Sequence, residues 1–133
     1  MSTPITALWA GPLALLFVAL SYQVVRMRHR FKQGLGDGGH PPLQRAIRVH
    51  GNFAEYVPFI LLLLALCELT GAPAWALHTF GATALTARLL HAWGVSGKSG
   101  TSIGRYWGTL GTFILLAFGG GWALWLGIAQ LCA

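Results

Sequence analysis

The sequence predicts an all-α, integral membrane four-helix bundle, and three observations carry that prediction. The 133-residue chain is 55% hydrophobic and only 9% charged, with a mean hydropathy of +0.61, outside the balance of a soluble domain. Its leucine-rich apolar runs reach the roughly 20 helical residues that a bilayer core requires. Backbone amides in hydrocarbon must be bonded within their own segment, which selects helices, because four short strands cannot close a barrel. By length the chain is one domain.

Four spans follow in order, at about 5–26, 44–69, 73–95 and 105–131. The first, "ITALWAGPLALLFVALSYQVV", is uncharged. It lacks the preceding basic residues and the small-residue cleavage site of a signal peptide, so it reads as a span. The second begins amphipathically near Leu43 and is purely apolar from Tyr56 to Cys67, with Pro58 marking a kink. The third is the weakest by hydropathy, because Gly81, Arg88 and His91 interrupt it. The fourth carries "FGGGW", small residues that let neighbouring helices approach closely. The connector "FKQGLGDGGHPP" is a turn-forming loop. It is not a phosphate cradle, since it follows a span rather than a strand.

Charge placement sets the expected orientation. Arg26, Arg28, Arg30, Lys32, Arg45, Arg48, Arg88, Lys98 and Arg105 all fall between spans one and two or around the junction of spans three and four. Both tails and the loop "ELTGAPA" have no Lys or Arg, which places the basic loops in the cytoplasm and both termini outside. The net charge of +6 therefore belongs to the membrane surface and its anionic lipids. No aromatic-interleaved basic face or zinc spacing points to nucleic acid or metal. Cys67 and Cys132 read as buried packing residues. Trp9, Trp75 and Trp125 fit an outer aromatic belt.

Ionisable groups within spans mark functional candidates, because they are costly in hydrocarbon. Arg48, Asn52 and Glu55 share one face of the second helix at i, i+4, i+7. Arg88 and His91 lie at i, i+3 on the third, and Arg105, Thr109 and Thr112 repeat the i, i+4, i+7 spacing on the fourth. All three stripes sit toward the cytoplasmic ends, so they are positioned to converge on one polar cavity. Several guanidiniums facing one or two carboxylates leave a positive surplus, and arginine's fork pairs bidentately with carboxylates. Cations also favour a thiolate. A ligand bearing carboxylates and a thiol fits this chemistry. Blander roles stand beside it: Arg45 either snorkels to headgroups or joins the stripe, and Glu55 either meets ligand or neutralises Arg48 or Arg88. His50 lies on a different face and is available to a neighbouring helix.

The stretch "LQRAIRVHGNFAEYVPFILLLLAL" after "LGDGG", with "ARLLHAWG" on span three and "GRYWGT" entering span four, resembles the membrane-associated proteins in eicosanoid and glutathione metabolism (MAPEG), in particular their small bacterial branch. The resemblance covers nearly the whole chain, and Arg48-x-His50-x-Asn52-x-x-Glu55 is its most specific part. It implies a left-handed four-helix bundle per subunit, a homotrimer, and glutathione as co-substrate bound between subunits near the cytoplasmic side. Carried over by motif, Arg48, Asn52 and Glu55 hold glutathione, with Arg88 and His91 on span three and Arg26 reaching in from a neighbouring subunit. Arg105 matches the arginine that polarises the glutathione sulfur. Two departures matter. Val95 or a neighbour stands where several relatives have a tyrosine, and Tyr106 stands where prostaglandin synthase members have a serine. Both weaken leukotriene or prostaglandin synthesis; Tyr106 is either a donor to the sulfur or an interface aromatic.

Two functions from different classes follow. One is a glutathione-dependent transferase or peroxidase of the inner membrane, acting on lipophilic electrophiles or hydroperoxides. The other is a non-catalytic membrane protein holding an anionic lipid or small anion in the same cavity. A transporter is disfavoured, since no inverted repeats or broken helices are visible.

Overall fold

The structure, a computed structural model, describes residues 2–97 and 102–132. Four helices account for nearly all of them: α1 (Pro4–Phe31), α2 (Pro41–Leu69), α3 (Ala74–Gly97) and α4 (Ile103–Leu131). Lys98, one of the basic residues used to orient the chain, lies outside the described residues. Each helix runs past its hydropathy-defined span at the basic end. α1 reaches Phe31 rather than 26 and α2 starts at Pro41 rather than 44, while α3 extends to Gly97 and α4 starts at Ile103. The reason is length. The 28 residues of α1 cover about 42 Å against a hydrocarbon core of about 30 Å, so the last turns stand in the headgroup layer.

Helix ends are fastened by specific groups. α1 closes with Lys32 in the left-handed region (φ 52°), and Arg28 Nη1 donates to the carbonyls of Gln33 (3.2 Å), Gly34 (2.9 Å) and Gly36 (3.1 Å). That grip shapes the glycine-rich connector, where Gly36, Gly38 and Gly39 all take positive φ. Phe31 and His40 then stack across it, with ring centroids 4.3 Å apart.

At the opposite end the start of α1 is capped from another helix. Thr3 provides no side-chain cap. Instead the Glu68 carboxylate at the end of α2 accepts from Ile5 N (2.9 Å), Thr6 N (2.7 Å) and Thr6 Oγ1 (2.6 Å). It satisfies amides that have no partner inside the helix and places negative charge at the positive end of the dipole, a cap worth about 1 kcal/mol. Gln130 Nε2 at the end of α4 donates to the Thr70 carbonyl at 3.3 Å. Trp9 Nε1 donates to His78 Nδ1 at the same distance.

α2 and α3 are central. α3 touches all three other helices and α2 likewise, whereas α1 and α4 do not meet among the described residues. α1, α2 and α4 are long and apolar enough to cross a membrane, and α3 is not among them. A helix packed on three sides meets protein as much as lipid, and so can carry Arg88 and His91, both buried.

Two buried clusters hold the bundle. Ile60, Leu64, Leu77, Phe80 and Leu115 pack α2, α3 and α4 at one end, while Leu13, Leu20, Val49, Phe53 and Val57 join α1 to α2. Pro58 sits inside an unbroken α2, beside an apolar crevice that Leu13 and Phe17 line from α1. Large apolar side chains such as Leu15, Val18, Phe59 and Phe118 are exposed, as a lipid-facing surface requires.

One expectation is corrected here. Cys132 is exposed at the C-terminus of α4, not buried like Cys67, because the last turn extends beyond the packed core. Trp9, unlike the exposed Trp75 and Trp125, packs into the bundle. It is half-buried against Gly81, where a Cβ would lie 2.2 Å from the indole, and only glycine leaves it room. A further departure concerns the small residues of α4. In "FGGGW" only Gly119 packs closely, against Phe80 of α3, while a Cβ on Gly120 or Gly121 would meet nothing within 4 Å.

Candidate functional site

The tightest helix–helix approach lies at the basic end, between α3 and α4. A Cβ on Gly94 would fall 2.2 Å from Arg105 N. On Gly104 it would fall 2.7 Å from the Leu90 carbonyl, and on Gly108 2.6 Å from His91 N. Glycines at these positions let the two backbones touch. Ser102 secures the approach: its Oγ donates to the Gly94 carbonyl at 2.7 Å and accepts from Arg105 N at 3.2 Å, so it caps α4 while tying it to α3. The start of α4, and with it Arg105, is thereby fixed beside the end of α3.

A cavity of about 180 Å³ opens there. α2 lines it with Gln44, Arg45, Arg48 and Asn52; α3 contributes His91 and Val95; α4 contributes Arg105. Three guanidiniums surround this space, and no carboxylate lines it among the described residues. Arg48 and Arg105 are exposed, Arg45 and Asn52 half-buried, and His91 buried. His91 sits in the combined field of Arg88, Arg105 and Arg48. Such a lining favours an anion, with arginines suited to carboxylates and Asn52 and Gln44 able to bond polar groups between them.

Arg88 lies beneath this wall rather than on it, 2% exposed. Its Nη1 donates to Asn52 Oδ1 at 2.8 Å, and its Nη2 donates to the Gly108 carbonyl at 3.0 Å and to Thr112 Oγ1. Thr112 Oγ1 in turn donates to the Gly108 carbonyl at 2.7 Å. Thus one buried guanidinium joins α2, α3 and α4, and it does so through neutral acceptors rather than Glu55.

Of the sequence-derived candidates, Arg48, Asn52, His91 and Arg105 share the cavity, and Arg88 braces it from behind. Arg26, Glu55 and Tyr106 are exposed and outside its lining. Tyr106 rests edge-on against Trp107 (centroids 5.5 Å). His50 stacks on Phe17 of α1 (4.8 Å, 19° between planes), so its contact with a neighbouring helix is aromatic. Gln44 was not among the candidates, although its signal was present: it precedes Arg48 by four residues and so continues the stripe that runs to Asn52. Arg45 belongs to the cavity as well.

The sequence pattern that defines the MAPEG family matches residues 6–125, from the start of α1 into α4, and takes in every residue of the cavity. The chain belongs to the MAPEG family. It is 42% identical over 90 residues to Inner membrane protein YecN of Escherichia coli strain K12, a match covering 68% of this chain and 69% of that one. The protein of the same name from Escherichia coli O6:H1 matches to the same extent. As a MAPEG member the chain is a membrane protein, and the arginines of its cavity lie at one end of the all-α bundle. A second, apolar groove of about 570 Å³ runs between α3 and α4 toward the other end, where Trp75, Phe80, Phe118, Trp122 and Trp125 line it. Thr79 and Thr83 also line it, but their hydroxyls are turned back onto the carbonyls four residues earlier, which leaves the groove hydrocarbon-like.

Proposed function

We propose that this MAPEG protein is a glutathione-dependent transferase or peroxidase acting on lipophilic electrophiles or hydroperoxides. The observation that supports it most directly is the cavity at the basic end, lined by three arginines, Asn52 and His91 and, among the described residues, by no carboxylate. A tripeptide with two carboxylates and a thiol matches that donor set. Glutathione supplies the nucleophilic sulfur. Arg45 and Arg48 are placed to pair with its carboxylates, and Asn52 to bond its peptide backbone. Arg105, at the cavity edge on α4, is the cation for the sulfur. Positive charge beside a thiol favours the thiolate, and each two-unit drop in its pKa corresponds to about 2.7 kcal/mol between protonation states. The electrophile arrives dissolved in lipid, which the bundle surface contacts directly.

The test is conjugation of glutathione to a chlorinated aromatic acceptor by the purified protein in detergent. Arg105→Ala is expected to lower the rate about tenfold or more, with the loss shrinking as pH rises and free thiolate becomes plentiful. Equal rates for the two proteins would remove Arg105 from this role. Stabilisation by anionic lipid with no response to glutathione would instead favour a non-catalytic anion-binding protein.

The reading carries an inner-membrane location, both termini outside the cytoplasm and a homotrimer in which Arg26 serves a neighbouring subunit's cavity. The one-sided loop charge supports the orientation. A C-terminal reporter active only in the cytoplasm would reverse it, and a mass other than a trimer in native mass spectrometry would remove the assembly.

A further inference from the structure

Arg88 is among the largest fully buried side chains of the bundle, yet it does not line the cavity. What it reaches is Asn52, which does. A guanidinium has donors only, so the Asn52 atom 2.8 Å from Arg88 Nη1 is fixed by chemistry as the amide oxygen. The amide's two N–H donors are then the groups that Asn52 has for the cavity. In the opposite rotamer two donors would face each other in a buried setting, and an acceptor would confront the anion. Both would be unfavourable.

The far side of Arg88 is held as firmly as the near side. Nη2 is held by the Gly108 carbonyl and by Thr112 Oγ1, both on α4, and Gly108 follows Arg105 by three residues. One rigid, planar group therefore sets the Asn52 amide on α2 and keys it to the helix that carries Arg105. Lysine would keep the charge and lose the fork.

We infer that Arg88 is a positioning residue: it locks the Asn52 side-chain amide with its donors toward the cavity, acting on ligand affinity through Asn52 without touching the ligand. The inference rests on the reading of the cavity as a glutathione site. It assigns Thr112, outside the cavity, a part in glutathione affinity.

The experiment is a double-mutant cycle on glutathione binding in detergent, by titration calorimetry, with Arg88→Lys, Thr112→Val and Asn52→Ala singly and with Asn52→Ala combined with each of the other two. Arg88→Lys and Thr112→Val are each expected to weaken glutathione about tenfold and to raise its KM more than they lower kcat. In the Asn52→Ala background neither is expected to weaken it further. Additive losses would mean that Arg88 meets the ligand itself and would overturn the inference while leaving the glutathione reading intact. Absence of glutathione binding by the unaltered protein would overturn that reading instead. A ligand-free measurement stands beside these. Asn52 is the only asparagine of the chain, so its side-chain amide resonance is identifiable by residue-type labelling. It is expected to be rigid on the nanosecond scale in the unaltered protein and mobile in Thr112→Val. An Asn52 amide that moves freely on the nanosecond scale in the unaltered protein would also overturn the inference.

Discussion

Gly108→Val is expected to unfold the basic end of the bundle, with a loss of about 3 kcal/mol or more in stability. The added Cβ would stand 2.6 Å from His91 N and 2.7 Å from the Ala87 carbonyl, and both neighbours are backbone atoms of a packed helix. No side-chain rotation relieves such a contact, so α3 and α4 would have to separate. That movement would also withdraw the Gly108 carbonyl from Arg88 and leave a buried charge with fewer partners. Reversible unfolding in mixed micelles measures the effect, and Gly120→Val is the control. Its Cβ would meet nothing within 4 Å, and its cost is expected to stay within about 0.5 kcal/mol. Equal losses at the two positions would show that the α3–α4 approach does not depend on the glycine.

Arg48→Ala is expected to abolish most of the stabilisation that glutathione gives, with little change in the ligand-free protein. Arg48 is exposed and lines the cavity, so its removal opens no void in the core. A ligand at one hundred times its Kd stabilises by about 2.7 kcal/mol. Losing one charge-assisted pair weakens binding roughly ten- to a hundredfold, which cuts that gain to about 1.4 or 0.4 kcal/mol. Thermal-shift titration in detergent measures the difference, and Arg30→Ala, beyond the cavity and lying over the Phe31 ring, is expected to leave it unchanged. A full glutathione shift in Arg48→Ala would take Arg48 out of the site.

The four helices and the end of the bundle that holds the polar residues were legible because hydropathy and loop charge are local properties. The i, i+4 spacing of Arg48 and Asn52 likewise defines a shared face before any packing is known. What the spacing does not reveal is which face meets which. Glu55 shares the stripe of Arg48 by periodicity, yet it is exposed and outside the lining, which on α2 runs from Gln44 to Asn52 and stops about a turn short of it. Two acceptors of Arg88, the Gly108 carbonyl and Thr112 Oγ1, come from α4, twenty or more positions away, and no one-dimensional pattern pairs them with it. Glycine runs misled in a similar way. "FGGGW" draws the eye, but close approach needs one glycine per turn on a single face, which Gly104 and Gly108 supply. The Glu68 cap was equally hidden. Its partners Ile5 and Thr6 lie more than sixty residues earlier.

That cap bears on how the bundle moves. Among the described residues, Glu68 and the Trp9–His78 pair hold α1 by hydrogen bonds at one end, while toward the other end it meets α2 through apolar packing, Leu20 and Val49 included, and through the ring stacks of Phe17 on His50 and Phe31 on His40. Stiffness is therefore expected to be graded along the long axis, with any tilt of α1 turning about Glu68. From Ile5 to Arg26 the arm is about 30 Å, so a tilt of about 4° at the fulcrum carries the Arg26 backbone about 2 Å sideways. A peg closed at its hinge opens at its tip, and the tip is where the arginines are.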